Sequence, residues 1–198
     1  MSLLLTYLPA YLKLSIPITS NLVLGVSLGG HAAWLTVLHE PRITAAVVVI
    51  GCPDYASLMM DRAVKSKLKD WTSGTPPGSA FLGSGSFPPA LISAVGQFDP
   101  AALILPSSSL FTVREQTSNP LGLLSGKRIL SLSGGADKLV PYKCSKPFLA
   151  LLGQKSDVHL IDMVFDGVGH TMSPDMLAEA VDFVMNVLGT PDKVRNHL

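Results

Sequence analysis

Apolar positions fall into short runs separated by turn-forming residues, and the lengths and spacings of the runs predict the elements. Met1–Leu14 places Leu4, Leu5, Leu8, Tyr11 and Leu12 at helical spacing. It reads as a helix packed beside the strand that follows. Ser20-Asn21 make a turn, and Leu22–Val26 is a short apolar strand. Leu28–His39 is helical and stops before Pro41, whose ring and missing N–H forbid continuation. Ile43–Ile50 (ITAAVVVI) is a continuous run rich in β-branched residues, the pattern of a parallel strand buried on both faces. Strand, helix and strand in this order predict a right-handed crossover.

From Tyr55 to Ser125 the periodicity breaks up. Leu58–Trp71 fits an amphipathic helix with Asp61, Arg62, Lys65, Lys67 and Lys69 toward solvent. Thr72–Pro89 collects glycine, proline and serine and reads as a loop. A helical piece follows at Ala90–Val95, and Asp99-Pro100 opens a short one that Pro106–Ser109 closes. Phe81, Leu82, Phe87, Leu91, Ile92 and Phe98 make the stretch too apolar for a solvated connector, so 55–125 reads as a lid inserted into a single domain spanning 1–198. Regularity returns with a strand at Lys127–Leu132, a helix at Tyr142–Leu152 and a strand at Val158–Phe165. After the loop Asp166–Thr171, Ser173 suits an N-cap and Pro174 the first turn of the last helix. Met176, Leu177, Ala180, Val181, Val184 and Leu188 line one face of that helix.

Composition narrows the class. A net charge of +1 with 15% charged residues offers no electrostatic basis for binding nucleic acid. A mean hydropathy of +0.40 suits a chain with much buried strand and helix, or one that has lost some polar covering. No apolar run reaches the roughly 18 residues of a membrane span. The N-terminus lacks the basic region of a signal peptide, and Pro9 interrupts its apolar part. A cytoplasmic location is the expectation. The terminal Asn196-His197-Leu198 is a distant relative of the peroxisomal S-K-L signal and keeps peroxisome as the weaker alternative. Cys52 and Cys144 lack disulfide-framework or metal-site spacing and read as ordinary buried thiols. No cofactor or metal is expected.

The chemistry concentrates where strands end. Gly25-Val26-Ser27-Leu28-Gly29 lies between a strand and a helix, the setting of a nucleophile elbow. Glycines two residues either side of the serine let the chains approach, and the Leu28 N–H sits where a carbonyl oxygen would develop charge. Asp137 follows the third strand and His170 the fourth, so three loops at one sheet edge carry Ser, Asp and His. A serine hydroxyl becomes a nucleophile when a histidine takes its proton, and a carboxylate fixes that histidine's tautomer. Asp54, after the second strand, stays open as the alternative acid. Asp166 reads as a loop former, and His31, one helical turn from Ser27, as a packing residue. His39, His159 and His197 have no motif context.

The motifs GVSLGGHAAW, SGGADKLVPY and FDGVGHTMSP resemble those of the α/β-hydrolase superfamily, specifically the C-terminal two-thirds of its domain. Within it the chain is most similar to fungal serine hydrolases, some of which work in secondary-metabolite pathways. The resemblance implies a parallel-sheet α/β fold with a lid where the superfamily inserts caps. It implies Ser27 as nucleophile, His170 as base, Asp137 as acid, the Leu28 N–H as an oxyanion donor, and a small acyl substrate. It also implies strands ahead of the elbow, whereas only 24 residues precede Gly25. The expectation is an N-terminally truncated domain without the second oxyanion donor. Its elbow strand would then be an apolar edge open to self-association or to a partner. A non-catalytic, hydrolase-derived binding protein is the alternative function.

Overall fold

A computed structural model describes residues 1–13, 18–105 and 120–189. Strands β1 (Asn21–Val26), β2 (Ile43–Val49), β3 (Arg128–Gly134) and β4 (His159–Phe165) form one parallel sheet in chain order. Around it lie α1 (Ser2–Leu12), α2 (Leu28–His39), α3 (Tyr55–Lys65), α4 (Lys69–Thr72), α5 (Pro89–Phe98), α6 (Pro100–Ile104), α7 (Tyr142–Leu152) and α8 (Pro174–Val187).

β2 explains its own sequence. Ala46 and Val48 pack with Trp34, Val37 and Leu38 of α2 and with Phe148, Leu149 and Leu152 of α7. Ala45, Val47 and Val49 face the other way, toward Met176, Ala180 and Phe183 of α8. Both faces are covered, so an unbroken apolar run is required where an alternating one would leave polar groups in a core. Trp34 and Phe148 meet edge to face at 5.3 Å between centroids and fill the first of these cores.

Lys127 closes the end of α2. Read in the sequence as the first residue of a strand, it is buried, and its Nζ donates to the carbonyls of Val37 (2.5 Å) and Glu40 (3.0 Å). A cation there satisfies carbonyls that the helix leaves unpaired. Burial lowers the Lys127 pKa.

Several expectations are corrected. The helix expected at Leu58–Trp71 is two helices: Asp54 caps α3 early by accepting from Ser57 N at 2.8 Å, and Lys67 turns left-handed at φ 49° before α4. Asp61 does not face solvent. Lys65 and Lys143 hold its carboxylate at 2.6 Å each, and its side chain is 8% exposed. The piece expected at Ala90–Val95 extends to Pro89–Phe98, with Pro89 in the first turn. In α8 the buried positions are Met176, Ala180 and Phe183, while Leu177, Val181 and Leu188 are exposed.

α1 forms as expected but buries little. Leu5 joins the core that also receives Val23 of β1, while Leu4, Tyr11 and Leu12 are exposed. Polar contacts anchor the helix instead. The Ser2 hydroxyl donates to Glu40, and Arg42 donates to the Ser2 carbonyl (2.8 Å) and Thr6 Oγ1 (3.1 Å) while pairing with Glu40 at 2.8 Å.

The part of the 55–125 stretch that is described carries its own apolar cluster. Ala56, Ala63, Phe81, Phe87, Val95 and Ala102 are buried together, with Trp71 edge-on to Phe81 at 5.5 Å. The closing segment expected at Pro106–Ser109 lies outside the described residues. Replacing Phe148, fully buried between α2 and α7, with alanine is expected to cost about 3–5 kcal/mol. Urea denaturation followed by far-UV dichroism measures it, and a loss below 1 kcal/mol would refute this packing.

Candidate active site

Ser27 ends β1 and starts α2. Its backbone takes φ 57° and ψ −115°, a strained conformation for a residue with a side chain. The turn is held from both sides. Ser27 N donates to Val49 O at 2.9 Å, tying it to the end of β2, and His31 N donates to Ser27 O at 3.1 Å, beginning the helix. A Cβ on Gly25 would lie 1.9 Å from Gly29 O, so the chain closes here only with glycine.

The second glycine of the motif has a different status. A Cβ on Gly29 meets nothing within 4 Å, so the expected need for glycine on both sides of the serine holds only at Gly25. The close approach lies one residue on. A Cβ on Gly30 would come 2.8 Å from the Cα of Gly51, where α2 packs on the loop leaving β2. Gly30 and Gly51 were not singled out by sequence reasoning, although the pair Gly29-Gly30 was its visible signal.

The loops carrying Asp137 and His170 are stitched together. Gly135 N donates to Phe165 O at 2.8 Å and Ala136 N to Val168 O at 2.9 Å. A Cβ on Gly134 would lie 2.5 Å from Val168 O, so the Gly134-Gly135 pair lets the His170 loop settle on the end of β3. Asp137 then turns back on its own loop. Its Oδ1 accepts from Leu139 N (2.8 Å) and Val140 N (2.9 Å), and its side chain is 0% exposed.

The three loops converge. Asp137 Oδ2 lies 2.8 Å from His170 Nδ1, and His170 Nε2 lies 2.8 Å from Ser27 Oγ. A carboxylate oxygen at Nδ1 favours the tautomer with the proton on that nitrogen. The lone pair of Nε2 is then free to accept the Ser27 hydroxyl proton. His170 is 23% exposed, so the arrangement opens to solvent on the serine side and is closed on the acid side. The N–H of Leu28 stands in the first turn of α2, where helix donors have no intrahelical acceptor and the helix dipole is positive.

The remaining candidates are placed elsewhere. Asp54, the alternative acid, caps α3, and burial pushes its pKa up. His31 Nδ1 is 2.8 Å from Cys52 O and its ring is 5.6 Å from Tyr55, so it links α2 to the loop after β2. His39 Nε2 bonds the Phe98 carbonyl at 2.8 Å. Asp166 and His159 are exposed, and His197 lies outside the described residues with Asn196 and Leu198. Asp99, missed apart from its Asp-Pro signature, is buried and accepts from Tyr55 N (2.9 Å), Ala101 N (3.0 Å) and Ala102 N (3.1 Å). It thereby joins the start of α3 to α6, and burial pushes its pKa up to about 7. Cys52 and Cys144 are buried with Leu58 and Val140, and burial pushes the Cys52 thiol up to about 12. Among the described residues no group of three or more His, Cys, Asp and Glu is placed to hold a metal ion.

Solved structures share this architecture, and the chain has the α/β-hydrolase fold. TT1662 from Thermus thermophilus matches 92% of this chain with a TM-score of 0.54 at 18% identity. An acylaminoacyl peptidase from Pyrococcus horikoshii matches 94% with a TM-score of 0.53 at 13% identity. Acyl-protein thioesterase 2 from Zea mays matches 93% with a TM-score of 0.50 at 14% identity. This chain spans 58%, 26% and 63% of those three chains. No protein-family model and no curated protein sequence matches it.

Two outcomes follow from the geometry. Gly29→Ala should be neutral or stabilise by up to about 1 kcal/mol through the unfolded chain, whereas Gly25→Ala should cost at least the roughly 3 kcal/mol of severe overpacking. Thermal melts of the two variants separate them, and equal losses would contradict this elbow. Cys52, with a thiol pKa of about 12, should resist a disulfide reagent at pH 8 until the protein is unfolded. Reaction of the folded protein within minutes, mapped to Cys52 by mass spectrometry, would contradict its burial.

Proposed function

We propose that the chain is a serine hydrolase that opens a carboxylic ester or related acyl bond through an acyl-enzyme at Ser27. The observation that carries this reading is the hydrogen-bond chain from Ser27 Oγ through His170 to Asp137, 2.8 Å at each link. His170 takes the hydroxyl proton as Oγ attacks the acyl carbon. It then gives that proton to the leaving alcohol, and the cycle repeats with water on the acyl-enzyme. The Asp137 carboxylate accepts from His170 Nδ1 and stabilises the imidazolium. Its two backbone donors keep it from turning away. The Leu28 N–H stabilises the tetrahedral oxyanion.

An acyl substrate is further supported by two of the solved structures of similar fold, by name an acyl-protein thioesterase and an acylaminoacyl peptidase. The segment α3–α6 serves as the lid, its aromatic cluster fixing its shape beside the elbow helix. A place in fungal secondary metabolism rests on the sequence resemblance alone. Among the described residues no helix is long and apolar enough to cross a membrane, and we place the protein in the cytoplasm.

A second reading, a binding protein that does not turn over, draws on one observation. β1 is an outer strand, so no neighbouring strand beyond it holds a loop over Ser27 among the described residues. One absent oxyanion donor slows turnover by about 10²–10³-fold.

A fluorophosphonate probe decides between them. Wild type should be labelled at Ser27, and Ser27→Ala should not. Hydrolysis of a p-nitrophenyl ester should fall to background in Ser27→Ala and His170→Ala, and by about 10⁴-fold in kcat for Asp137→Asn, which holds the wrong tautomer. A folded wild-type chain that takes up no probe would establish the binding reading instead.

A further inference from the structure

The Asp137 side chain is fully buried and turns one carboxylate oxygen to His170. The other, Oδ1, accepts from the amides of Leu139 and Val140. A peptide unit is planar and trans, so its C=O and N–H point in opposite directions. The carbonyls that share peptide units with these two amides are those of Lys138 and Leu139, and each of them meets a cation of α3. Lys65 Nζ donates to Lys138 O at 2.9 Å. The Arg62 guanidinium donates to Leu139 O, from Nη2 at 3.2 Å and from Nε at 3.4 Å. Two successive peptide units of one loop thus each stand between a positive side chain of α3 and the same carboxylate oxygen.

The cations are themselves placed. Asp61, one turn earlier on α3, holds Lys65 Nζ at 2.6 Å, and its second oxygen holds Lys143 of α7 at 2.6 Å. Leu58 of α3 is buried in one cluster with Val140, Cys52 and Cys144, so α3 is packed onto the loop as well as bonded to it. A hydrogen bond accepted by a carbonyl polarises the amide of the same peptide unit, and a charged donor does so more strongly than a neutral one. The two amides thereby bind the Asp137 carboxylate more tightly than unpolarised loop amides would.

We propose that Arg62 and Lys65 are positioning residues for Asp137, acting on its carboxylate through the peptide units 138–139 and 139–140. With Oδ1 held in this way, Oδ2 keeps its direction toward His170 Nδ1. Resting on the reading of Asp137 as the acid of a serine hydrolase, this role makes α3, the first helix of the lid, a support of the site as well as its cover. Lys65 is 43% exposed, so its effect is modest and weakens as salt is added.

Nitrogen–proton correlation spectra of the full chain test the relay without any substrate. Lys65→Met removes the cation behind the Leu139 amide, whose proton should shift upfield more than that of Val140. Arg62→Met should do the reverse. Lys65→Arg should restore the Leu139 amide toward its wild-type position. Lys146→Met, an equal loss of charge on the exposed side of α7, should move neither. On a p-nitrophenyl ester, the double variant Arg62→Met/Lys65→Met should lose about 3–10-fold in kcat with KM unchanged. A role confined to holding the lid down would raise KM instead. Should Lys65→Met not fold, Arg62→Met, at an exposed position, carries the same test alone. Amide shifts that are absent, or equal at Leu139 and Val140 in each single variant, would overturn the proposal. So would an active enzyme whose kcat is unchanged in the double variant. A wild-type chain without esterase activity would remove the hydrolase reading, and the selective amide shifts would then decide the relay by themselves.

Discussion

The structure depends on one backbone constraint, the left-handed turn at Ser27. A β-strand must become a helix within one residue while that residue carries a side chain at positive φ. Such strain persists only where the surroundings over-determine it. Here a hydrogen bond from Ser27 N to Val49 O fixes the turn to the second strand, and the contact of Gly25 with Gly29 O closes it from below. The Gly30–Gly51 approach then seats α2 on the loop leaving β2. The serine is presented by packing rather than by any hydrogen bond of its own hydroxyl, which is left to His170.

Asp137 and His170 are positioned by a different device. His170 stands on a loop, where a side chain would ordinarily be imprecise. Precision comes from pairing that loop with another. Backbone bonds from Gly135 and Ala136 continue the β3–β4 ladder beyond the strands, and Gly134 admits the carbonyl of Val168 at a distance that a side chain would forbid. Asp137 is locked by two backbone donors and full burial, so its free oxygen has one direction in which to point.

Much of this was legible in the sequence because glycine and proline mark the points where the backbone is forced. The strands, α2, α7, α8 and the three loops carrying Ser27, Asp137 and His170 follow from apolar run length and punctuation. The choice between Asp54 and Asp137 did not, because both follow a strand and only the fold assigns one to capping α3 and the other to His170. Lys127 was read as the first residue of a strand and Asp61 as a solvent-side charge, yet each is held by groups distant in the chain, and no local pattern encodes such partners. α1 misled in the opposite sense. Its helical spacing was real, but Glu40 and Arg42 anchor it and most of its apolar side chains face outward.

The position of β1 separates two requirements of a hydrolytic site that are usually met together. Placing the nucleophile needs only β2, α2 and the glycine contacts, all of which lie on the inner side of β1. Stabilising a developing oxyanion needs donors around the serine, and α2 offers one side of that ring through Leu28. Ser27 and His170 can therefore be aligned whatever lies along the outer edge of β1. In the proposed hydrolase, charge stabilisation would be more sensitive to that edge, because the exposed side chains there affect how much water reaches the elbow and how strongly each hydrogen bond acts. Covering Leu24, Val26 and Leu28 would lower the local dielectric beside Ser27 without moving a residue of the hydrogen-bonded chain. The geometry of Ser27 and the dielectric beside it are thus set by opposite sides of the same strand.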